Sequence, residues 1–249
     1  MTTFTVCIPC VDKHIEKMEK LLDSFKYYII KPDKVIVSMS PRYLNLNLQA
    51  EKERLEKKFP FLMCLVQTKI MGMGENLNCI FNHIETEYIT IWGADDFFHP
   101  QYFEIMNYII KKYNNPNILT HSYDKNLTLR TQQNIKLLHD INVFENILLK
   151  NIKIYNDLFL VHASEDIYRF HSYKYMQDYK IKGQIWMHAG MQTLKSHIVK
   201  ENKFKEGKKY DWKSDTLFLN DIFRKYRNMI FIDENMIQYV PSNTCEVVK

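Results

Sequence analysis

The chain has 249 residues, of which 46% are hydrophobic and 14% aromatic, enough for a packed core and too many for a disordered chain. Its formal net charge of +5 is too mild to demand nucleic acid, and it suits anionic small molecules equally well. No apolar run reaches the length of a membrane span and no basic-then-apolar leader opens the sequence, so a cytoplasmic protein is expected.

Phe4 to Ile8 is an alternating, β-branched run closed by Pro9, which predicts a first strand. Ile15, Met18, Leu22 and Phe25 recur at helical spacing and predict a helix over 13–28. Lys34 to Met39 reads as a second strand, Glu51 to Phe59 as a charged helix, and Leu62 to Val66 as a third strand. Leu77, Ile80, Phe81 and Ile84 fall on one helical face, and Tyr88 to Trp92 follows as a fourth strand. Phe103, Met106, Ile109 and Ile110 mark the next helix, with Pro100 expected in its first turn, where a missing N–H costs nothing. Ile118 to Ser122 is a fifth strand. Beyond residue 125 the pattern is less regular, with a helix expected near 165–180, another from Asp215 to Tyr226, and a late strand from Met229 to Ile232. Strands alternating with helices on short connections imply an α/β fold with a mainly parallel sheet and helices on both faces, in one domain over 1–249.

The five cysteines are odd in number and sit mostly in apolar runs, which fits reduced, buried thiols. Cys7-Ile8-Pro9-Cys10 has half of a zinc spacing and no second pair. Gly72-Met73-Gly74 begins a dinucleotide fingerprint but has Leu77 where the third glycine belongs, and it follows the third strand instead of the first. No phosphate-binding P-loop, kinase set, nucleophile elbow or His-Glu-x-x-His motif is present.

Trp92-Gly93-Ala94-Asp95-Asp96 is the most informative stretch. Two carboxylates at the carboxyl end of a buried strand stand where open α/β sheets place their ligands. Hard oxygen ligands there suit Mg²⁺ or Mn²⁺ carrying a phosphorylated substrate. The plainer alternative is a solvated loop that only ends a strand.

Taken in order, Val6 to Cys10, Val35 to Ser38, Gly74-Glu75-Asn76-Leu77-Asn78 and Glu87 to Asp96 resemble a GT-A glycosyltransferase, closest to the family 2-like enzymes that use nucleotide-diphosphate sugars. The resemblance covers roughly residues 4–106 well and 185–243 loosely. It implies a Rossmann-like GT-A fold with a donor-binding half over 1–125 and an acceptor-side half over 126–249. It also implies transfer of a hexosyl or pentosyl group to a glycan, protein or small-molecule hydroxyl, without nucleic acid as a partner. Pro9, Cys10 and Val11, with Ser38, Met39 and Ser40, take the nucleoside positions, and Asn78, Gly93 and Ala94 also fall at the donor site, with a helix-packing role an equal alternative for Asn78. Asp95 aligns with the metal-binding acid of the DxD motif and Asp96 with the acid after it, which implies Mn²⁺ or Mg²⁺. Two departures stand out: Gly93 replaces the first acid of the usual Asp-Ala-Asp-Asp, and Ser38-Met39-Ser40 lacks the Asp that commonly contacts the base.

The chemistry asks for the same parts. A departing nucleoside diphosphate develops negative charge that a divalent ion neutralises, and the acceptor hydroxyl must lose a proton to a base on the other side of the sugar. Asp215, at the start of an amphipathic helix, is the candidate base and implies inversion, whereas as a helix cap it would be purely structural. Asp211, Glu165 and Asp166 are reserves. His188 is a candidate near the diphosphate, and the Lys200 to Lys213 segment with Phe204, Tyr210 and Trp212 is expected either as a solvated face or as a mobile loop closing over the donor. The alternatives are a nucleotide-sugar-binding relative without turnover and a sugar-phosphate nucleotidyltransferase. The second conflicts with the lack of a Gly-rich, basic loop after the first strand.

Overall fold

The computed structural model describes residues 2–124, 152–155, 190, 192–207, 214–226 and 229–238. The amino-terminal part alternates as the periodicity predicts: β1 (Phe4–Val11), α1 (Ile15–Ser24), β2 (Lys34–Ser40), α2 (Leu48–Lys58), β3 (Leu62–Val66), α3 (Met73–Phe81) and β4 (Tyr88–Ile91). There follow β5 (Phe97–Phe98), α4 (Tyr102–Lys112), β6 (Ile118–Asp124), β7 (Ile152–Tyr155), β8 (Gln192–Lys195), α5 (Ser196–Glu201), α6 (Ser214–Tyr226) and β9 (Met229–Gln238).

These strands form one sheet in the order β3-β2-β1-β4-β8-β6-β9-β5, with β7 paired to β9. The β3, β2, β1 and β4 strands run parallel. β8 is inserted antiparallel between β4 and β6, and β9 runs parallel to β6. Strands from both halves of the sequence therefore share the sheet.

Helices cover both faces because the strands are apolar on both. Val6, Ile8, Val35, Val37, Tyr88 and Trp92 point to one side, where α1 and α4 supply Met18, Leu22, Phe103 and Met106. Their odd-even partners Cys7, Ile36, Ile89 and Ile91 point to the other, against Leu77 and Ile80 of α3 and Phe218 and Ile222 of α6. This period-two division is the signature of a sheet buried on both faces. Cys7, Cys10 and Cys64 are buried free thiols and Cys79 is half-buried and free, while Cys245 lies outside the described residues.

Several boundaries differ from expectation: β9 runs on to Gln238, past the expected end at Ile232, and two others involve proline. Pro9 lies inside β1, not at its end, and pairs with Ser38. The Cys7 carbonyl accepts the Trp92 N–H at 3.0 Å, so Pro9, two residues on, turns its nitrogen to the side that β4 has already left, where no donor is needed. Pro100 lies just before α4, whose cap is Gln101. β5, β7, β8 and α5 were not anticipated. The helix expected near 165–180 lies outside the described residues.

Between β4 and α4 the chain is pinned by aromatic packing. The Trp92 and Phe98 rings stack with centroids 3.6 Å apart and planes 8° from parallel. Trp92 Nε1 donates to Thr90 Oγ1 at 2.9 Å, and Thr90 meets the Tyr102 hydroxyl at 2.9 Å. That hydroxyl also reaches Thr193 Oγ1 at 2.9 Å, tying β4, α4 and β8 together. Truncating a buried aromatic in such a cluster costs about 3–5 kcal/mol. Phe98→Ala should therefore lower unfolding free energy by about 3 kcal/mol in urea titrations with an unchanged m value. A loss below about 1 kcal/mol would show that the stack does not anchor this segment.

Candidate functional site

The carboxyl ends of β1, β2 and β4 converge at one edge of the sheet, and the sequence-predicted site residues collect there. Pro9 and Val11 are half-buried at the end of β1, while Cys10 is buried. Ser38, Met39 and Ser40 at the end of β2 are fully buried. Ser38 Oγ donates to Asn76 Oδ1 at 2.8 Å, and Asn76 Nδ2 donates to Ser40 Oγ at 3.2 Å, so the two serines are held by α3.

Asp12, which the sequence reading passed over, organises the next layer. Its buried carboxylate accepts from the backbone N–H groups of Lys13, Arg42, Tyr43 and Leu44 at 2.7 to 3.0 Å. It thereby fixes the loop after β2 to the end of β1. Tyr43, 41% exposed, lies with the Lys13 ammonium 3.7 Å from its ring centroid. Burial alone would raise the Asp12 pKa, but these backbone donors outweigh it and hold the group below its ordinary value.

Gly93, Ala94, Asp95 and Asp96 form the short segment between the stacked Trp92 and Phe98. Gly93 explains its own departure from the expected acid. A Cβ there would collide with an Asp96 carboxylate oxygen and stand 3.0 Å from Asp96 Cγ, so Asp96 fills the space that a side chain at 93 would take. Asp96 is buried, and its N–H donates to the Gly93 carbonyl at 3.5 Å.

Asp95 is oriented differently. Its Oδ2 is buried and accepts no hydrogen bond. The groups facing it are both near α1, one turn apart: Lys17 Nζ at 3.7 Å and His14 Nδ1 at 4.0 Å. Burial lowers the His14 pKa despite the opposing pull of Asp95.

Among the described residues, no group of three or more His, Cys, Asp and Glu gathers to hold a metal ion. A resident all-protein cage is not what a hard cation at such an edge requires. Mg²⁺-like ions take one or two carboxylates and complete their shell with substrate phosphates and water. An anionic oxygen without a hydrogen-bond donor, with a second carboxylate next to it, fits that arrangement.

Asn78 and the lysine-rich segment are placed by packing. Asn78 Nδ2 donates to the Phe204 carbonyl at 2.9 Å and to Glu206 Oε1 at 2.8 Å, while its Oδ1 accepts the Phe204 N–H at 2.9 Å. The Phe204 ring is buried and stacks on Phe218 at 3.9 Å. Lys200 belongs to α5, and Lys203 donates to Asn82 Oδ1 at 3.0 Å. The backbone is thus held at Phe204 while Lys203, Lys205 and Glu206 are exposed, and residues 208–213 of the segment lie outside the described residues. Gly74 permits this approach, since a Cβ there would stand 2.8 Å from Phe204 Cβ. Ser214 packs against the same glycine, which places the first turn of α6, with buried Asp215, beside the amino end of α3 at this sheet edge. Asp211, Trp212, Glu165, Asp166 and His188 lie outside the described residues.

No protein-family model matches this chain, and no curated protein sequence does. Solved structures do. TarS of S. aureus superposes with a TM-score of 0.61 at 14% identity, over 94% of this chain and 36% of that one. The chain has a GT-A fold. A TarS fragment, residues 1–349, in complex with UDP-GlcNAc gives 0.59 at 13% identity, covering 97% of this chain and 59% of that one. Glucosyl-3-phosphoglycerate synthase of Mycobacterium tuberculosis, in complex with Mn²⁺, UDP and glucosyl-3-phosphoglycerate, gives 0.57 at 10% identity, over 99% of this chain and 75% of that one. A Pyrobaculum calidifontis mannosyltransferase with GDP-Man and Mn²⁺ gives 0.53 at 13% identity, over 94% and 55%. This chain thus spans from about a third to three fifths of the TarS chains it matches. Among the described residues, no helix is long and apolar enough to cross a membrane.

The Asp12 carboxylate gives the site a testable acid dependence. Its folded pKa lies below the unfolded value, so its contribution is complete above the unfolded value and fades as pH falls through the folded one. Asp12→Ala should cost about 2 kcal/mol at pH 6, and the deficit should shrink in urea titrations at pH 3 or below. A deficit independent of pH would mean that the ionised carboxylate is not what holds the loop.

Proposed function

We propose that this chain transfers a sugar from a nucleotide-diphosphate sugar to an acceptor hydroxyl, with residues 1–249 acting as one catalytic unit. The observation that carries the reading is Asp95 Oδ2, a buried anionic oxygen with no hydrogen-bond donor, at the ligand edge of the parallel strands in a GT-A fold. The nucleotide-sugar complexes of TarS and the mannosyltransferase support the donor class, and the Mn²⁺ in the mannosyltransferase and the phosphoglycerate synthase supports a divalent cation.

In this reading, Asp95 and Asp96 hold Mn²⁺ or Mg²⁺, which supplies positive charge to the leaving diphosphate. Pro9 and Val11 face the nucleoside, with backbone from Ser38 to Ser40 and from Gly93 and Ala94 lining its pocket. Cys10 and Asn78 support these contacts from beneath. Asp215 accepts the proton of the acceptor hydroxyl as its oxygen bonds to the anomeric carbon, while the bond from that carbon to the diphosphate oxygen breaks on the opposite face and the diphosphate leaves with the electron pair, which inverts the anomeric centre. The aromatic clamp around Trp92 keeps the acids in place.

Titration calorimetry of UDP and GDP with and without Mn²⁺ should reveal metal-dependent binding that Asp95→Ala removes while the thermal melt stays within a few degrees. Unchanged metal-dependent affinity in that variant would remove Asp95 from the cation site. A nucleotide-sugar panel read by mass spectrometry of products should identify the donor. A chain that binds nucleotide sugars without any transfer or hydrolysis would be a binding relative instead.

Asp215→Asn should preserve nucleotide binding and lower turnover by roughly 10²–10⁴-fold, because Asn keeps the shape and the capping oxygen but loses the basicity. Near wild-type turnover would leave Asp215 as a helix cap only.

A further inference from the structure

Lys17 has no part in the reading above, yet it is the charged group that faces the candidate cation ligand. Its Nζ stands 3.7 Å from Asp95 Oδ2, while His14 Nδ1 is at 4.0 Å. The Asp95 side chain is only 12% exposed, and an anion so placed is costly without a nearby positive charge. Lys17 is 47% exposed, so its ammonium reaches the buried oxygen from the solvent side. The long stem lets it swing back into water without disturbing Met18 or Leu21 on the buried face of α1. Gly93 leaves no third side chain beside the two acids, so nothing else on the loop balances Asp95.

An ammonium and a divalent cation cannot both sit against one carboxylate oxygen without strong repulsion. We propose that Lys17 is a resident counter-ion for Asp95, which balances its charge when no donor is bound and gives way when cation and nucleotide diphosphate arrive together. The inference rests on the donor reading above. A bare cation must expel Lys17 with no compensation, whereas a cation bound to a diphosphate brings phosphate oxygens to which the released ammonium can pair. Cation and nucleotide binding are therefore coupled, and by linkage each strengthens the other by the same factor.

The test is Mn²⁺ binding to the full chain, by calorimetry or by the loss of the free-ion paramagnetic resonance signal, with and without UDP. Lys17→Met keeps the stem and the helix propensity, and Lys17→Arg keeps the charge. Without UDP, the Met variant should bind Mn²⁺ roughly tenfold more tightly than wild type, with the Arg variant close to wild type. With saturating UDP the three should converge to within about twofold, so the coupling shrinks in the Met variant. Equal Mn²⁺ affinities of wild type and the Met variant without UDP, when both bind Mn²⁺ with UDP, would overturn the counter-ion and leave the donor reading standing. Absence of Mn²⁺ binding in all three, with and without UDP, would overturn the cation site and this inference with it.

Discussion

The flat stack of Trp92 on Phe98 is the constraint on which the rest of the site depends. Two large rings in face contact at 3.6 Å close the chain on itself, so that Gly93 to Asp96 becomes a short loop with fixed ends. The indole also leans on Phe103 and Phe25, and its N–H enters the Thr90–Tyr102–Thr193 hydrogen-bond chain. The position of the two acids is thus set by the hydrophobic core and by three neighbouring elements, not by the loop's own preferences. Such a loop offers carboxylates whose geometry is settled before any ligand arrives, which is the condition for electrostatic stabilisation without reorganisation. Within the loop, Asp96 lies over Gly93 and Asp95 turns towards α1.

Two carboxylates at this edge are satisfied by opposite means. Asp12 is surrounded by backbone N–H groups, fixed dipoles that a ligand cannot displace without unfolding the loop after β2. Asp95 has no such donors, and the ammonium facing it is that of Lys17, a half-exposed side chain. A carboxylate with saturated dipoles is structural, and one with a removable counter-charge is available for binding. The contrast separates the acid that builds the edge from the acid that we assign to the chemistry.

The parallel half was legible in the sequence because strands buried on both faces read as continuous β-branched runs, as in Val35-Ile36-Val37. The acid loop was legible for a related reason: a charge directly after such a run must find hydrogen-bond donors, a counter-charge or a ligand. β8 escaped notice because Gln192-Thr193-Leu194-Lys195 carries no apolar run. Its Gln192 and Thr193 are fully buried: the Gln192 amide N–H donates to Thr120 Oγ1 on β6, and Thr193 Oγ1 meets the Tyr102 hydroxyl of α4, pairings that no local pattern can announce. β5 is two residues long and exists only through its pairing with β9. Asp12 and Lys17 were hidden by distance: their partners are some 30 and 78 residues away in sequence. The signal that could have pointed to Asp12 is its position, a charge immediately beyond a buried strand. The sequence offers Asn78 two roles, at the donor site or packing within the fold, and its three hydrogen bonds to Phe204 and Glu206 depend on a segment over 120 residues on.

The central claim is that the donor diphosphate and its cation meet the protein at Asp95. A crystal structure of the chain grown with UDP and Mn²⁺, with anomalous scattering recorded at the manganese edge, tests it most directly. The account predicts an anomalous peak within coordination distance of Asp95 Oδ2 that also touches the diphosphate, with Lys17 Nζ withdrawn from that oxygen. A nucleotide bound away from the ends of β1 and β4, or a manganese peak that leaves the Asp95–Lys17 pair intact, would contradict it.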